Sequence, residues 1–210
     1  MGQKVNPISF RICNGNNKIW SSNWFVKSNK EYANNVVSDI KIYNFFKENE
    51  SKYSVCDVVV ERKQNGKVNI KLESGKVSCV IGKNGDNIEK IEKQLKKIEG
   101  NNLSFDVKEG RNLNLNANFI ARSIADRIEN RQSFKRVVNT SIDQAIKNGA
   151  IGIKISCSGR LNGAEIARSE TFKKGSIPLH TLRANIGYSC CNAITIYGVV
   201  GIKVWICVKR

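Results

Sequence analysis

The chain has 210 residues, of which 40% are apolar and 8% aromatic, enough for one large or two small domains with hydrophobic cores. The 35 Lys and Arg against 18 Asp and Glu give a net charge of +17. A folded protein this basic usually binds a polyanion, and nucleic acid is favoured over an anionic membrane or a charge kept for solubility. No apolar run is long enough for a transmembrane helix, and the first residues do not match a signal peptide.

The positive charge is concentrated in the second half of the chain. Residues 1–110 carry 19 basic and 13 acidic side chains, whereas residues 111–210 carry 16 basic and 5 acidic ones. This shortage of acids leaves the field of the lysines and arginines uncancelled, as the binding of phosphate requires.

Enzymatic chemistry finds little support in the sequence. The seven cysteines lie mostly in apolar runs, no two have Cys-x-x-Cys spacing, and His180 is the only histidine. We expect buried thiols in a reducing compartment, no metal site and no cofactor. His180 has no nucleophile or base at a recognisable offset, and the acids are too scattered for a two-metal nuclease. The protein is therefore predicted not to be an enzyme.

The first half of the chain predicts an arm followed by a small α+β domain. Residues 1–30 hold few apolar repeats and are predicted to form an irregular N-terminal arm with aromatic anchors. Residues 31–110 predict the element order helix, strand, strand, short helix, helix, strand, with an Asn-Gly turn signal at 64–67 between the first two strands. These elements are expected at 32–46, 55–61, 68–72, 75–81, 86–98 and 103–107.

The tetrapeptide Gly82-Lys83-Asn84-Gly85 precedes the second long helix of this domain. Its glycines allow unusual backbone angles and close approach of a phosphate, the helix that follows directs free N–H groups to the same place, and Lys83 adds charge. A plain glycine turn is the alternative. In this element order the tetrapeptide predicts the RNA clamp of a KH domain. The helix-first order resembles the type II KH arrangement of prokaryotes. A P-loop is excluded, because Asn84 stands where that motif needs Ser or Thr.

The second half predicts a helix pair and a sheet. Residues 111–118 are polar and rich in Asn, and they are predicted to link the KH domain to a C-terminal domain at 119–210. Apolar stripes predict the helices, and the remainder is β-rich, with its last stretch interrupted by two glycines. The helices are expected at 120–128 and 134–145, and the strands at 151–156, 169–173, 184–188 and 194–208, the last broken at Gly198 and Gly201. The predicted fold class is α+β: an N-terminal type II KH domain followed by a C-terminal α/β domain with a helix pair and a mostly antiparallel sheet.

Basic residues cluster where the two predicted helices meet. Arg127 and Arg131 lie one turn apart on the first helix, away from its apolar stripe, and Lys135 and Arg136 begin the second. A solvated helix surface is the alternative, but a basic corner on so basic a protein favours contact with nucleic acid. Further along, Arg160 and Arg168 lie in a loop-like stretch at 159–168 that contains two glycines, and Arg183 follows in the stretch 178–184. A guanidinium in such a place can bind phosphate as a fork.

Several motifs together point to a known family. They are MGQKVNP at 1–7 with Arg11, WSSNWF at 20–25, VIGKNG at 80–85, SGRL at 158–161, GAEIAR at 163–168, PLHTLRA at 178–184 and GIKVWI at 201–206. With these motifs over nearly its whole length, the chain resembles the universal KH-domain ribosomal proteins, the third proteins of the small ribosomal subunit, of bacterial or organellar type. Asn139 and Asn84 depart from the family, since many relatives have a basic residue at each position.

The resemblance implies a structural constituent of the small-subunit head that binds ribosomal RNA and helps to form the channel through which messenger RNA enters. It implies that Lys135 and Arg136 face incoming messenger, whose structure the family unwinds without ATP. Ribosomal RNA, messenger RNA and neighbouring head proteins are the expected partners, with no membrane. The expected location is the ribosome of the cytoplasm, or of an organelle's matrix or stroma. The alternative is a free KH-domain regulator of messenger RNA.

The motifs and the basic stretches together give the set of residues predicted to bind RNA. They are Lys4, Arg11, Gly82, Lys83, Asn84, Gly85, Arg127, Arg131, Lys135, Arg136, Arg160, Arg168, His180 and Arg183.

Overall fold

The computed structural model describes residues 4–12, 20–63, 66–100, 102–110 and 112–209. The backbone divides into an N-terminal unit, residues 20–110, and a C-terminal unit, residues 4–12 with 112–209. The arm predicted at 1–30 is thus divided between the units. Its first part contains helix α1 (Pro7–Arg11), which packs in the C-terminal unit, and its second part contributes a strand to the N-terminal unit.

The N-terminal unit contains the predicted elements in the predicted order, with two additions, a short strand β1 at its start and a short helix α3 before β2. Its sheet has the order β1-β2-β3-β4; β2 and β3 are antiparallel, and β1–β2 and β3–β4 are parallel pairs. The strands are β1 (Ser22–Asn23), β2 (Val55–Arg62), β3 (Val68–Ser74) and β4 (Leu103–Glu109), and the helices are α2 (Asn29–Glu48), α3 (Glu50–Tyr53), α4 (Val77–Ile81) and α5 (Asp86–Glu99). The turn predicted at 64–67 begins with residues 64 and 65, which lie outside the described residues.

One hydrophobic cluster forms the core of the N-terminal unit. The apolar stripes of α2 and α5 pack on alternate residues of β2 and β3, because side chains of one helix face recur every three to four residues and those of one sheet face every two. The fully buried members are Ile42, Phe46, Val60, Ile70, Leu72, Val80, Ile91 and Leu95.

A buried ionic network ties the start of the N-terminal unit to this core. Arg62 on β2 bonds the Asp39 carboxylate of α2 at 2.6 Å and Glu99 of α5 at 2.7 Å. Asp39 also accepts hydrogen bonds from the Ser22 hydroxyl at 2.7 Å and the Trp24 indole N–H at 2.8 Å. One carboxylate therefore holds both the arginine and the segment that carries β1.

The C-terminal unit places a helix pair on an antiparallel sheet of order β6-β5-β8-β7. Its elements are α6 (Ala117–Glu129), α7 (Phe134–Lys147), β5 (Ala150–Gly159), β6 (Arg168–Gly175), β7 (Ile186–Thr195) and β8 (Gly198–Val208). The predicted linker is structured in its described part, since residues 113–115 form a turn of 3₁₀ helix and α6 begins at Ala117. The last strand is not broken at Gly201, which pairs with Ser158; the interruption is the β7–β8 turn before Gly198.

The two faces of this sheet differ in chemistry. Alternate residues of β5 and β8, among them Ile153, Ile155, Ile202 and Val204, are fully buried under α6 and α7. Side chains between them point to the other side, which we call the open face. At one end of the open face, Trp205 packs with residues of β7, β8 and the loop at 177–184 in a second, smaller cluster.

Helix α1 is attached to the C-terminal unit through a buried arginine. Arg11 is 1% exposed, and its Nη2 donates to the carbonyls of Pro178 at 3.3 Å, Leu179 at 2.7 Å and Thr181 at 3.1 Å, while Nη1 donates to Pro7 at 2.9 Å. The prediction that Arg11 contacts RNA is wrong, because its guanidinium is enclosed and bonds backbone carbonyls. Its role is to hold α1 and the 178–181 loop together.

The network of the N-terminal unit makes a stability prediction. Asp39→Asn removes one of the two carboxylates that pair with the buried Arg62, and Glu99 still pairs with it, so the cost should be below the roughly 3–5 kcal/mol of leaving a buried charge wholly unpaired. Asp39→Asn should lower the protection of β1, α2 and β2 in hydrogen exchange of the full chain and leave β5–β8 unchanged. Glu89→Gln, in the exposed pair with Lys93, is the control and should have almost no effect. Equal effects of the two substitutions would contradict the role of the network.

The hydrogen bonds of Arg11 to the 178–181 loop lead to a second stability prediction. Arg11→Lys keeps the charge but loses the fork that reaches three carbonyls, and each buried carbonyl left without a donor costs about 1–3 kcal/mol. We expect exchange in residues 177–185 to accelerate tenfold or more. Arg183→Gln, an exposed arginine in the same loop, is the control and should leave exchange unchanged. If lysine at position 11 preserves the protection, the fork is not what orders the loop.

Candidate nucleic-acid interface

The Gly82–Gly85 tetrapeptide joins α4 to α5 as the sequence predicts. Gly82 has φ +76° and Gly85 φ +90°, in the region that favours glycine, and residues 83–85 form a single 3₁₀ turn before α5 begins at Asp86. The Lys83 side chain is exposed, and the side chain of Asn84 lies outside what the structure describes. The geometry is that of a tight loop at a helix N-terminus, with two half-buried glycines and one exposed ammonium group.

Two features limit what this loop can do. A Cβ at position 82 would lie 2.8 Å from Cγ of Asn87, whose side-chain amide donates to the Cys79 carbonyl at 3.1 Å. A side chain at Gly82 therefore disturbs the loop itself. In addition, the first turn of α5 carries Asp86 and Glu89, and their carboxylates partly satisfy the positive end of the helix that a phosphate would use.

The predicted basic corner forms where α6 ends and α7 begins. Arg131, Lys135 and Arg136 are exposed, and Arg127 is partly buried. Arg131 has φ +60°, a left-handed conformation uncommon for a residue with a side chain, and its N–H donates to the Ile128 carbonyl at 2.9 Å. This residue ends α6 and turns the chain, so the corner presents its cations on both sides of one tight turn.

Glu170 on β6 lies beside Lys135, a contact that no local pattern in the sequence predicts. Its carboxylate is 3.9 Å from Nζ of Lys135 and 3.3 Å from Nε of Arg168. Glu129, which lies between Arg127 and Arg131 in the sequence, accepts a hydrogen bond from the backbone N–H of Ile194 at 3.0 Å. Arg168 therefore belongs to the same basic group as the corner. The carboxylate of Glu170, which is three-quarters buried, partly neutralises the charge of that group.

Arg160 forms hydrogen bonds within the protein that connect two loops. Its Nε donates to the Ala164 carbonyl at 2.9 Å, its Nη1 donates to the Tyr197 carbonyl at 3.1 Å, and its guanidinium lies 5.8 Å from the Tyr197 ring. It thereby ties the loop after β5 to the β7–β8 turn. A cleft of about 480 Å³ brings Arg160 and Arg131 together, with Tyr197 and Ile196 in its wall.

The remaining predicted residues lie around the loop that Arg11 orders. Lys4, His180 and Arg183 are all exposed. Lys4 and His180 line a cavity of about 300 Å³, with Phe10 and Trp205 in its wall. Lys4 remains a candidate RNA contact, and the structure places it near the open face.

The described residues contain no group of three His, Cys, Asp or Glu side chains that could hold a metal ion. Of the cysteines in the described segments, Cys56, Cys157 and Cys207 are buried. Burial raises the pKa of the Cys157 thiol to about 11, so this group stays protonated and unreactive at neutral pH. Within the same segments, no helix is both long and apolar enough to span a membrane.

Two family profiles match separate parts of the chain. Residues 41–112 match the KH domain, and residues 124–206 match the C-terminal domain of ribosomal protein S3. The first match covers the Gly82–Gly85 loop between its helices, and the second covers the α6–α7 corner and the sheet. The predicted fold class, a KH domain followed by a C-terminal domain with a helix pair and an antiparallel sheet, is confirmed.

Relatives align with almost the entire chain. The small ribosomal subunit protein uS3 of Dichelobacter nodosus is 41% identical over 98% of this chain and 84% of its own length. The uS3 proteins of Anaplasma phagocytophilum and Staphylococcus epidermidis are 41% and 42% identical over 98% of this chain and cover 95% and 93% of their own lengths. With both domains and their order shared, the chain belongs to the uS3 family of small ribosomal subunit proteins, in its bacterial type.

Proposed function

We propose that this chain is a structural constituent of the small-subunit head, binds ribosomal RNA, and lines with its α6–α7 corner the channel through which messenger RNA enters. Neighbouring head proteins are its other partners. The observation that carries the channel assignment is the exposed group of Arg131, Lys135 and Arg136 around one tight turn.

The corner can act on messenger structure by electrostatics alone. Single-stranded RNA that leaves a hairpin presents phosphates that cations can hold, and this favours the open strand without the hydrolysis of a nucleotide. Glu170 beside Lys135 lowers the field at the corner, so contacts there are weaker than a count of basic residues suggests. Weak contacts suit a strand that must move past the protein.

A free KH regulator is not favoured. Such a protein needs the KH domain, but it has no need of a second domain matching the C-terminal domain of ribosomal protein S3. The relatives named uS3 align with 98% of the chain, so the two domains occur together in ribosomal proteins.

The corner is tested by neutralising its exposed cations. The double variant Lys135→Gln, Arg136→Gln should enter small subunits normally but translate a messenger with a stable hairpin near its start several-fold more slowly, since two phosphate contacts are lost. Lys147→Gln with Lys174→Gln removes the same charge from exposed positions and is the control. The measurement is the translation rate on the hairpin messenger relative to an unstructured one. A loss of assembly equal to the loss of translation would contradict the channel assignment.

The KH loop is tested at Lys83, because substitution of Gly82 would strain the loop and confuse folding with binding. Lys83→Ala should leave the melting temperature unchanged and weaken binding to single-stranded RNA. If Lys83 neutralises one phosphate, the slope of log affinity against log salt should fall by about 0.7. Lys93→Ala, exposed on the same unit, is the control. An unchanged slope for Lys83→Ala would show that the loop is a plain turn.

A further inference from the structure

The open face of the C-terminal sheet carries lysines in neighbouring strands. Strand register places side chains of this face in two adjacent rows that run across all four strands. In the order β6, β5, β8, β7, the rows are Lys173, Lys154, Trp205, Tyr188 and Thr171, Ser156, Lys203, Cys190. Lys173 and Lys203 are exposed, and Lys154 is partly buried with its Nζ 5.1 Å from the centre of the Trp205 ring.

These lysines are close enough to repel one another. Lys154 and Lys173 are directly opposite across the β5–β6 ladder, a position where like charges destabilise a sheet. Burial, and then the neighbouring charges of Lys4 and Lys173, lower the pKa of Lys154. A fold that keeps like charges side by side gives up stability there, and an anionic partner would restore it.

The carboxylates of the C-terminal half bond other groups. Residues 111–210 contain five acids. Asp126 pairs with Arg122, Asp143 with Lys174, and Glu170 with Arg168 and Lys135. Glu129 accepts the Ile194 N–H, and Glu165 lies exposed in the loop between β5 and β6. Among the described residues, none of Lys154, Lys173 and Lys203 has a carboxylate within ion-pair distance.

Two adjacent residues show the contrast between the two faces. Lys174 points to the helix side, where its Nζ lies 2.7 Å from the Asp143 carboxylate. Lys173, one residue earlier on β6, points to the open face and has no such partner in the described structure. Lys174 on the helix side is therefore neutralised by a carboxylate, whereas its neighbour Lys173 on the open face is not.

We infer that the open face is a second RNA surface, at which Lys154, Lys173 and Lys203 bind phosphates of the ribosomal RNA backbone. This inference rests on the proposed ribosomal function and adds to it a site on the face opposite α6 and α7.

The chemistry of the face favours RNA backbone over a protein. Lysine and serine are depleted in protein interfaces, whose centres are rich in aromatic residues. Lysines with neighbouring hydroxyls are typical of contacts to phosphate and sugar, and Ser156 and Thr171 supply hydroxyls within the same rows. Trp205 is only 9% exposed beneath Lys154, so the face offers little aromatic surface on which a base could stack. Binding here is therefore independent of base sequence.

The test compares the salt dependence of RNA binding by full-length variants, with polyadenylate as the probe. The triple variant Lys154→Gln, Lys173→Gln, Lys203→Gln should reduce the slope of log affinity against log salt by about 2, since each phosphate neutralised contributes about 0.7 on a single strand. Lys30→Gln, Lys41→Gln, Lys47→Gln is the control: it removes the same charge from exposed positions on α2 and should leave the slope unchanged. Equal slopes for the two triple variants would overturn the inference.

A second variant protects the test against misfolding. Lys154 covers Trp205, so its replacement can disturb packing; the double variant Lys173→Gln, Lys203→Gln leaves that contact in place and should reduce the slope by about 1.4. A double variant that melts like the wild type and shows no change in slope would also overturn the inference.

Lysine reactivity in the assembled particle separates RNA from protein as the occupant. In small subunits that contain the chain, Lys173 and Lys203 should be protected from amine acylation and become reactive after ribonuclease treatment. Protection that survives ribonuclease would assign the face to a protein and overturn the inference. Failure of the wild-type chain to enter small subunits would instead contradict the proposed function, so the two failures are distinguishable.

Discussion

The positions of a few carboxylates determine which basic side chains of the C-terminal unit are paired within the protein and which remain available to a partner. Asp126, Asp143 and Glu170 each lie beside a basic side chain, and Asp143 and Glu170 reach theirs from different elements. Glu129 bonds a backbone N–H of β7 instead. Acids are scarce in this half of the chain. Because the few carboxylates already bond particular groups, most of the other basic side chains have no carboxylate to neutralise them. The basic surfaces follow from this distribution rather than from the number of lysines and arginines.

Some arginines of this fold have a structural role, whereas others, such as Arg131 and Arg136, are exposed. Arg11, Arg62 and Arg160 bond carbonyls or carboxylates inside the protein, where the planar fork of a guanidinium can hold two or three acceptors at once. Lysines, which carry a compact and strongly hydrated charge on a flexible stem, remain at the surface. A residue's positive charge in the sequence therefore does not tell whether it serves folding or binding, and Arg11 shows how far the two can differ.

Much of the fold follows from periodic patterns in the sequence. The apolar stripes of α5, α6 and α7 are regular and predict these helices within a few residues. Helix α2 is predicted as closely from a less regular stripe, in which Val37 and Ile40 are exposed. The KH loop is marked by glycines at two positions that have positive φ. The strand predicted at 184–188 covers only the start of β7, because Ser189, Cys190 and Asn192 interrupt its apolar pattern. Strand β7 is held by its ladder with β8. This pairing cannot be predicted from the local sequence pattern.

The site residues were harder to predict than the fold because their environment comes from distant parts of the chain. Arg11 bonds carbonyls more than 160 residues away, and Glu170 reaches Lys135 from another element. Local sequence shows neither contact, although charge clustering did identify the α6–α7 corner. The lysines of the open face were missed for a related reason. Lys154, Lys173 and Lys203 are scattered in sequence, and only strand register brings them to one face.

The two basic surfaces of the C-terminal unit are matched to different tasks in the proposed function. At the corner, Glu170 lies beside both Lys135 and Arg168, so an RNA strand meets cations whose charge is already partly balanced. Contacts of this kind form and break easily, as a moving messenger requires. On the open face no carboxylate balances the lysines of the described rows, and a phosphate backbone bound there also relieves the repulsion between Lys154 and Lys173. Such a contact gains free energy from both effects, which suits a permanent attachment to ribosomal RNA.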